Sequence, residues 1–245
     1  MNILIDGKAC SCEKGEVLLK VAERNGIRIP TLCYHEGLGC TGACRVCIVE
    51  VVQQERSKVV ISCAYLVEEG IEVFTNSDKI IRKRGVVFTL LARLAPDAKV
   101  IEEIAEFAGV DIPRLSPKAN GGTCVLCGRC TLACNLMGSG AIAKMDRGIE
   151  KRVDTPYGEL SEECIGCTSC AHVCPTNTIA YEEKGARVSI WGRTFVLKRC
   201  ESCGLPISTN EQVLLAQQQT AGDATTLCKK CRQTEAVMRT SSATL

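Results

Sequence analysis

Cysteine is the residue of this sequence that could do chemistry, with 19 among 245 residues. Eight of these cysteines form two copies of the spacing C-x2-C-x2-C-x3-C, CVLCGRCTLAC at 124–134 and CIGCTSCAHVCP at 164–175. Three thiolates of such a loop can bind one [4Fe-4S] cluster, and where the loop is doubled the fourth thiolate comes from the other copy. The predicted ligand sets are therefore Cys124, Cys127, Cys130 and Cys174 for one cluster, and Cys164, Cys167, Cys170 and Cys134 for the other.

Four more cysteines lie in LCYHEGLGCTGACRVC, residues 32–47. The plant-type spacing C-x4-C-x2-C of [2Fe-2S] proteins would need a cysteine at position 39, which is Gly39. A wider spacing, C-x10-C-x2-C, fits three of the four and leaves out Cys40. We expect Cys40, like Cys10 and Cys12, to bind no metal. The predicted ligands of a [2Fe-2S] cluster are Cys33, Cys44, Cys47 and, after the next strand pair, Cys63.

The last four cysteines form the pairs CESC at 200–203 and CKKC at 228–231. Two C-x2-C pairs can close a tetrahedral zinc site, which would stabilise a segment too short to have its own core. A third [4Fe-4S] cluster is the alternative. The predicted ligands of either group are Cys200, Cys203, Cys228 and Cys231.

Composition and charge exclude several classes of protein. The formal charge is +2, and the RKR run at 82–84 is interpreted as a solvated helix face and not as a nucleic-acid surface. The N-terminal MNILIDGKAC lacks the features of a signal peptide, and no apolar run in the sequence is long enough to span a bilayer. An odd number of cysteines without an export signal favours reduced thiols and a cytoplasmic location.

The pattern of elements predicts an α+β protein built from small modules. The Asp6-Gly7 turn in ILIDGKACSC indicates a hairpin, GEVLLKVAERNGI has the spacing of a helix, and further strands follow, as in a β-grasp. Helical sequence interrupted by Pro96 comes next. The predicted modules are a [2Fe-2S] β-grasp domain (1–77), a helical connector (78–119), a two-[4Fe-4S] domain (120–185), a hairpin with a four-cysteine metal segment (186–232) and a tail (233–245).

The stretch LCYHEGLGCTGACRVCIVEV resembles the N-terminal [2Fe-2S] domain of the large iron–sulfur subunit of complex I. Iron-only hydrogenases, NAD-linked formate dehydrogenases and the small diaphorase-type subunits of NAD(P)-linked hydrogenases share this domain. The resemblance covers residues 1 to about 185 and implies a β-grasp, a helical connector and a bacterial-type two-cluster ferredoxin domain. Many members carry a [4Fe-4S] site with one histidine ligand in the connector. Since LLARLAPDAKVIEEIAEFAGV contains no histidine or cysteine, we expect that cluster to be missing.

These features predict a non-catalytic electron-transfer subunit. The sequence contains no dinucleotide fingerprint after a strand, no P-loop and no nucleophile with a base, and it stops where the complex I relatives continue into a large pterin-type domain. The resemblance implies a flavin- and NAD(P)-binding partner subunit and a catalytic subunit, for which nickel–iron hydrogenase is favoured and formate dehydrogenase is the alternative. Further alternatives are an electron-bifurcating complex with soluble ferredoxin as a third partner, a free-standing ferredoxin and a zinc-holding scaffold module.

Overall fold

A computed structural model describes residues 1–113, 122–220 and 226–242 and divides the chain into two compact units. The first unit comprises Met1–Arg129 and Val173–Thr178, and the second unit comprises Cys130–His172 and Ile179–Leu245. The boundary predicted between residues 119 and 120 lies outside the described residues. So do the last three residues of the predicted tail.

The first unit begins with a five-stranded mixed sheet. Its strands are β1 (Asn2–Ile5), β2 (Lys8–Ser11), β3 (Ile48–Gln53), β4 (Arg56–Ile61) and β5 (Glu72–Phe74), in the order β2-β1-β5-β3-β4. Only β1 and β5 pair in parallel. Helix α1 (Leu18–Arg24) buries its apolar residues in the same core as the sheet. A mixed sheet with one helix packed on it is the β-grasp arrangement predicted from the sequence.

The β1–β2 turn is held by local and long-range interactions. Asp6 and Gly7 both have positive φ, +49° and +78°, as a two-residue hairpin turn requires. The Asp6 carboxylate accepts hydrogen bonds from the Thr75 backbone N–H (2.8 Å) and hydroxyl (2.6 Å). These bonds attach the N-terminal hairpin to the end of β5, 69 residues away.

Two helices follow the sheet and cover the cysteine loop that precedes β3. They are α2 (Asp78–Leu94) and α3 (Lys99–Phe107), and the break between them contains Pro96, as predicted. Phe88 of α2 and Ile101 of α3 are fully buried in an apolar cluster that also contains Cys33 and Cys44. The connector therefore supplies apolar cover for predicted metal ligands.

The three residues of the RKR run at 82–84 were expected to be exposed to solvent, and only two of them are. Arg82 and Lys83 are exposed, but Arg84 is completely buried. Its guanidinium donates to the Asn76 side-chain oxygen and to the Ile48 carbonyl, both at 2.7 Å, and burial lowers the pKa of Arg84 to about 10. Arg84 thus ties α2 to the start of β3.

The second unit is built around a four-stranded antiparallel sheet of β8 (Tyr181–Lys184), β9 (Arg187–Ile190), β10 (Arg193–Arg199) and β11 (Pro206–Thr209), in the order β11-β10-β9-β8. The predicted hairpin is its centre, β9–β10, with β8 added from the segment assigned to the two-cluster domain. Helix α4 (Arg129–Leu136) leads into this unit. Its remaining elements are β6 (Ala143–Met145), β7 (Arg152–Asp154), α5 (Ser169–His172), α6 (Asn210–Thr220) and α7 (Lys229–Ser242).

Most of the predicted tail is helical. Helix α7 begins inside the CKKC pair and continues to Ser242, so residues 233–242 are an extension of the last cysteine pair. The sequence KKCRQTEAVMRTSS contains good helix formers and neither glycine nor proline, which explains the helix. Across the described part of the chain, every helix is too short or too polar to pass through a lipid bilayer.

Glu50 joins β3 and β4 to the start of α2. Its carboxylate accepts hydrogen bonds from Lys79 Nζ (2.8 Å), from the Ser57 hydroxyl and from the Ser77 hydroxyl (2.6 Å). Ser77 is also the N-cap of α2. The ammonium group of Lys79 and the two hydroxyls lower the pKa of Glu50 to about 2.

We expect Glu50→Gln to lower the free energy of unfolding near pH 7 by about 1–2 kcal/mol, because hydrogen bonds to a charged carboxylate are lost. The pKa of Glu50 is depressed in the folded state, so its stabilising contribution is complete above the ordinary value of 4.5 and disappears as pH falls toward about 2. The deficit of the variant should therefore shrink over that interval. Anaerobic urea unfolding measures it, with the exposed Glu68→Gln as the control. If Glu50→Gln lowered the free energy of unfolding equally near pH 7 and in acid, a stabilising role of the Glu50 carboxylate would be contradicted.

Candidate metal centres

The first group of predicted ligands lies in the loop between α1 and β3 and just after β4. Cys33, Cys44, Cys47 and Cys63 are each at most 5% exposed, so all four thiols are shielded from water. The loop turns at His35 and Gly39, which exchange two backbone hydrogen bonds, and the φ of Gly39 is +77°. This local turn brings the chain from Cys33 back toward the later cysteines.

The four thiols of this group form two hydrogen-bonded pairs. The sulfurs of Cys47 and Cys63 are 3.3 Å apart, and the bond between them lowers the pKa of Cys47 to about 7 and raises that of Cys63. The pairing of Cys33 with Cys44 lowers the pKa of Cys33 to about 4 and raises that of Cys44. Four buried soft donors, two of them readily deprotonated, are the donor set that a [2Fe-2S] cluster needs.

Cys40 lies closer to this group than its spacing suggested. It is half-buried, packs against the core of the sheet and interacts electrostatically with Cys63. Cys10 and Cys12 are buried in the same core, and their thiols face the backbone carbonyls of Lys8 and Met1. The exclusion of Cys40 from the ligands therefore stays a prediction.

The two copies of the doubled motif share an unusual backbone feature. In the first copy the residues with positive φ are Leu126 (+52°) and Gly128 (+81°), and the matching positions of the second copy are Gly166 (+66°) and Thr168 (+56°). At each of the two positions, one copy has glycine and the other has leucine or threonine. Positive φ is unusual for leucine and threonine, so residue type alone does not explain why both copies adopt it. The C-x2-C-x2-C part of the repeat is thus also repeated in the backbone turns.

In the second unit, four predicted ligands line one small cavity. Cys134 comes from α4, Cys164 and Cys167 from the loop between β7 and α5, and Cys170 from α5. Burial raises the pKa of the Cys164 thiol and that of Cys170, the latter to about 11. The cavity places one cysteine of the first copy beside three of the second, and their assignment to one crossed cluster stays a prediction.

Three ligands of the other predicted cluster belong to the first unit. Cys124 and Cys174 both interact electrostatically with Cys127, whose pKa is raised by burial. Although burial raises the pKa of Cys174, hydrogen bonds from Thr176 and from the backbone N–H of Thr178 lower it overall. Cys130 is the first residue of the second unit, and its assignment to this cluster stays a prediction.

The first cysteine loop and the first copy of the doubled motif touch within the first unit. The Thr41 hydroxyl donates to the Cys127 carbonyl at 2.6 Å, and the Arg129 guanidinium donates to the Tyr34 carbonyl. Cys33, Cys44 and Cys127 also belong to one apolar cluster. Ligands predicted for two different clusters are thereby held in one packed region.

The last four cysteines converge on one point of the second unit. The sulfurs of Cys200, Cys203, Cys228 and Cys231 all lie within 4.8 Å of one another, and those of Cys203 and Cys228 are 3.7 Å apart. A hydrogen bond from the Cys228 backbone N–H (3.2 Å) is the main cause of the pKa of Cys200 falling to about 6. The chain therefore brings four thiols close enough together to bind one metal centre.

Sequence reasoning missed several residues around these thiols. Thr41, Arg129 and Trp191 carry no motif, and only the position of Trp191 as the single tryptophan before a glycine in a hairpin turn could have marked it. The two histidines that lie close in sequence to predicted ligands, His35 and His172, contact groups other than the cysteine sulfurs. His35 Nδ1 accepts from the Gly37 N–H at 3.2 Å, and the His172 ring packs edge-on against Tyr181.

Comparison with known proteins identifies both iron–sulfur modules. Residues 1–78 match the 2Fe-2S iron-sulfur cluster binding domain family, and residues 118–181 match the 4Fe-4S dicluster domain family. These matches confirm the [2Fe-2S] domain and the two-cluster [4Fe-4S] domain predicted from the sequence.

Longer similarities link the chain to subunits of oxidoreductases. It is 28% identical to NADPH-Fe(3+) oxidoreductase subunit alpha of Geobacter sulfurreducens, over 92% of this chain and 29% of that protein. It is also 28% identical to the mitochondrial NADH-ubiquinone oxidoreductase 78 kDa subunit of Neurospora crassa, over 82% of this chain and 30% of that protein. The chain thus spans less than a third of the length of these two relatives.

A solved structure shares the fold over most of its own length. One chain of the crystal structure of NAD+-reducing [NiFe]-hydrogenase in the H2-reduced state matches with a TM-score of 0.62 at 25% sequence identity. The match covers 72% of this chain and 85% of that one.

We expect Cys63→Ala to abolish the [2Fe-2S] signal, because a buried ligand is removed, and Cys40→Ala to retain it. Electron paramagnetic resonance of the reduced, anaerobically purified chain measures both variants. The [4Fe-4S] signals serve as an internal control for folding. Loss of the [2Fe-2S] signal in Cys40→Ala, with the [4Fe-4S] signals intact, would show that Cys40 is a ligand.

Proposed function

We propose that this chain, an iron–sulfur protein related to the NADH-ubiquinone oxidoreductase 78 kDa subunit and to a chain of NAD+-reducing [NiFe]-hydrogenase, relays electrons between a flavin- and NAD(P)-binding subunit and a catalytic subunit. Nickel–iron hydrogenase is the catalytic partner that the structural match favours. The observation that carries the proposal is the Thr41–Cys127 hydrogen bond, which joins the loops of two predicted clusters. We place the complex in the cytoplasm.

The ligand sets of the proposal are those expected from the spacing. The clusters, when bound, supply one-electron carriers whose potentials depend on burial and on hydrogen bonds to sulfur. The residues of the chain shield the thiolates from water and hold successive ligand loops against each other. The ligands are Cys33, Cys44, Cys47 and Cys63 for [2Fe-2S], Cys124, Cys127, Cys130 and Cys174 for one [4Fe-4S], and Cys164, Cys167, Cys170 and Cys134 for the other.

We assign zinc to the site formed by Cys200, Cys203, Cys228 and Cys231. A tetrahedral ion with Zn–S bonds of 2.3 Å separates its sulfurs by about 3.8 Å. The 3.7 Å between Cys203 and Cys228 agrees with that edge. A [4Fe-4S] cluster would hold the sulfurs further apart, because each one binds a different iron atom. The zinc would stabilise the segment that contains β11, α6 and α7.

The relay is tested on the native complex, purified anaerobically through a tag on the full chain. We expect NADH or NADPH to reduce the clusters, and hydrogen to reduce them in a separate experiment. Electron paramagnetic resonance of the clusters measures the reduction. Reduction by formate in place of hydrogen would replace hydrogenase with formate dehydrogenase as the partner. A complex in which the iron–sulfur signals respond to none of these donors would overturn the relay, and an iron-free protein would favour the scaffold alternative.

Metal analysis tests the cofactor assignment. We expect about ten irons and one zinc per chain, since one [2Fe-2S] and two [4Fe-4S] clusters carry the iron. The double variant Cys203→Ala and Cys228→Ala should lose the zinc and keep the iron. About fourteen irons with no zinc would instead assign a third [4Fe-4S] cluster to the last four cysteines.

A further inference from the structure

We propose that the β9–β10 hairpin sets the reduction potential of the [4Fe-4S] cluster assigned to Cys134, Cys164, Cys167 and Cys170, through a hydrogen bond from the Trp191 indole N–H. The inference rests on the proposed function, because it requires that these thiols bind the cluster. It makes Trp191 a positioning residue that acts through a ligand sulfur. The family match to the two-cluster domain ends at residue 181, before this hairpin begins.

Trp191 has a backbone conformation that is unfavourable for a bulky side chain. Ile190 and Arg193 pair across the hairpin, so Trp191 and Gly192 form its two-residue turn, with φ of +52° and +74°. Such turns favour Asn-Gly or Asp-Gly, and positive φ is an outlier for a bulky side chain. Local strain of this kind persists where the surrounding structure requires the residue, and here the side chain provides the reason.

The indole reaches a predicted cluster ligand. Trp191 Nε1 lies 3.4 Å from Cys170 Sγ, and the indole lines the same cavity as the four cysteines. An indole N–H can only donate, so the sulfur is the acceptor. A hydrogen bond is stronger when its acceptor carries more negative charge, so this contact strengthens as charge on the sulfur increases. Reduction adds negative charge to a cluster, and the same hydrogen bond therefore favours the reduced state.

The rest of the hairpin holds the indole against the ligand loop. The Arg193 guanidinium donates to the carbonyls of Ser161 (2.5 Å), Glu162 (3.0 Å) and Cys164 (3.1 Å). Phe195, 1% exposed, packs on Gly166 so closely that a Cβ there would lie 2.5 Å from its ring. The hairpin thus contacts the ligand loop at Cys164 and at Gly166, and these contacts hold the indole N–H beside Cys170.

The test compares the full chain with Trp191→Phe, which removes the N–H and keeps an aromatic ring. We expect the equilibrium constant for reduction of one [4Fe-4S] cluster to fall several-fold to about tenfold, tenfold being about 59 mV for a one-electron couple. Anaerobic redox titration followed by paramagnetic resonance measures it. Thr194→Val, on the exposed face of the same hairpin, is the matched control and should leave every potential unchanged. Unchanged potentials in Trp191→Phe with full iron content would overturn the proposal.

A second measurement decides the case in which Trp191→Phe fails to hold iron. The chain has one tryptophan, so labelling tryptophan with ¹⁵N at the indole marks this group alone in the wild-type protein. Hyperfine coupling between the label and a reduced [4Fe-4S] cluster would support the contact, and its absence would overturn it. A wild-type chain with no [4Fe-4S] signal would instead contradict the proposed function. That result is distinguishable from an unchanged potential and from an absent hyperfine coupling.

Discussion

Thiolates held close together in a buried site repel one another, and the packing of this chain brings cysteines into such sites. The sulfurs of Cys47 and Cys63 lie 3.3 Å apart with almost no exposure to water. Two negative charges at that distance in a poorly polarisable interior are strongly unfavourable, so in the absence of a metal the pair shares a proton. A metal centre takes the place of that proton and makes four thiolates compatible with one site.

The same constraint accounts for the unusual core of the protein. Aromatic residues make up only 4% of the chain, and each of the apolar clusters in the described residues contains cysteines of the predicted centres. Phe88 and Ile101 pack with Cys33 and Cys44, and Phe195 packs with Cys164 and Cys170. The thiols are therefore part of the packing, and metal binding and folding are expected to be linked.

Two copies of one motif acquire different surroundings from the chain outside them. In the first unit, Cys174 accepts a hydrogen bond from the Thr178 backbone N–H at 3.3 Å. In the second unit, Cys170 faces the indole of Trp191. Because hydrogen bonds and burial tune iron–sulfur potentials, identical ligand spacings need not produce identical redox centres.

What the sequence by itself determined is the local part of the structure. The C-x2-C turns, the Asp6-Gly7 hairpin and the helix break at Pro96 follow from contacts a few residues apart, so their spacing and residue types suffice to predict them. The doubled motif also predicts that Cys134 binds with the second copy, because exchange of the fourth ligand is a property of such repeats.

Only the tertiary structure decided which distant groups meet. Arg84 was expected in solvent because its neighbours are charged, yet it is buried where the Ile48 carbonyl, 36 residues earlier, needs a donor. Thr41 meets Cys127 across 86 residues, and Trp191 meets Cys170 across 21. Contacts of this range have no spacing rule, since they arise from how sheets, helices and loops pack, and packing selects partners by shape and by the need to satisfy buried polar groups.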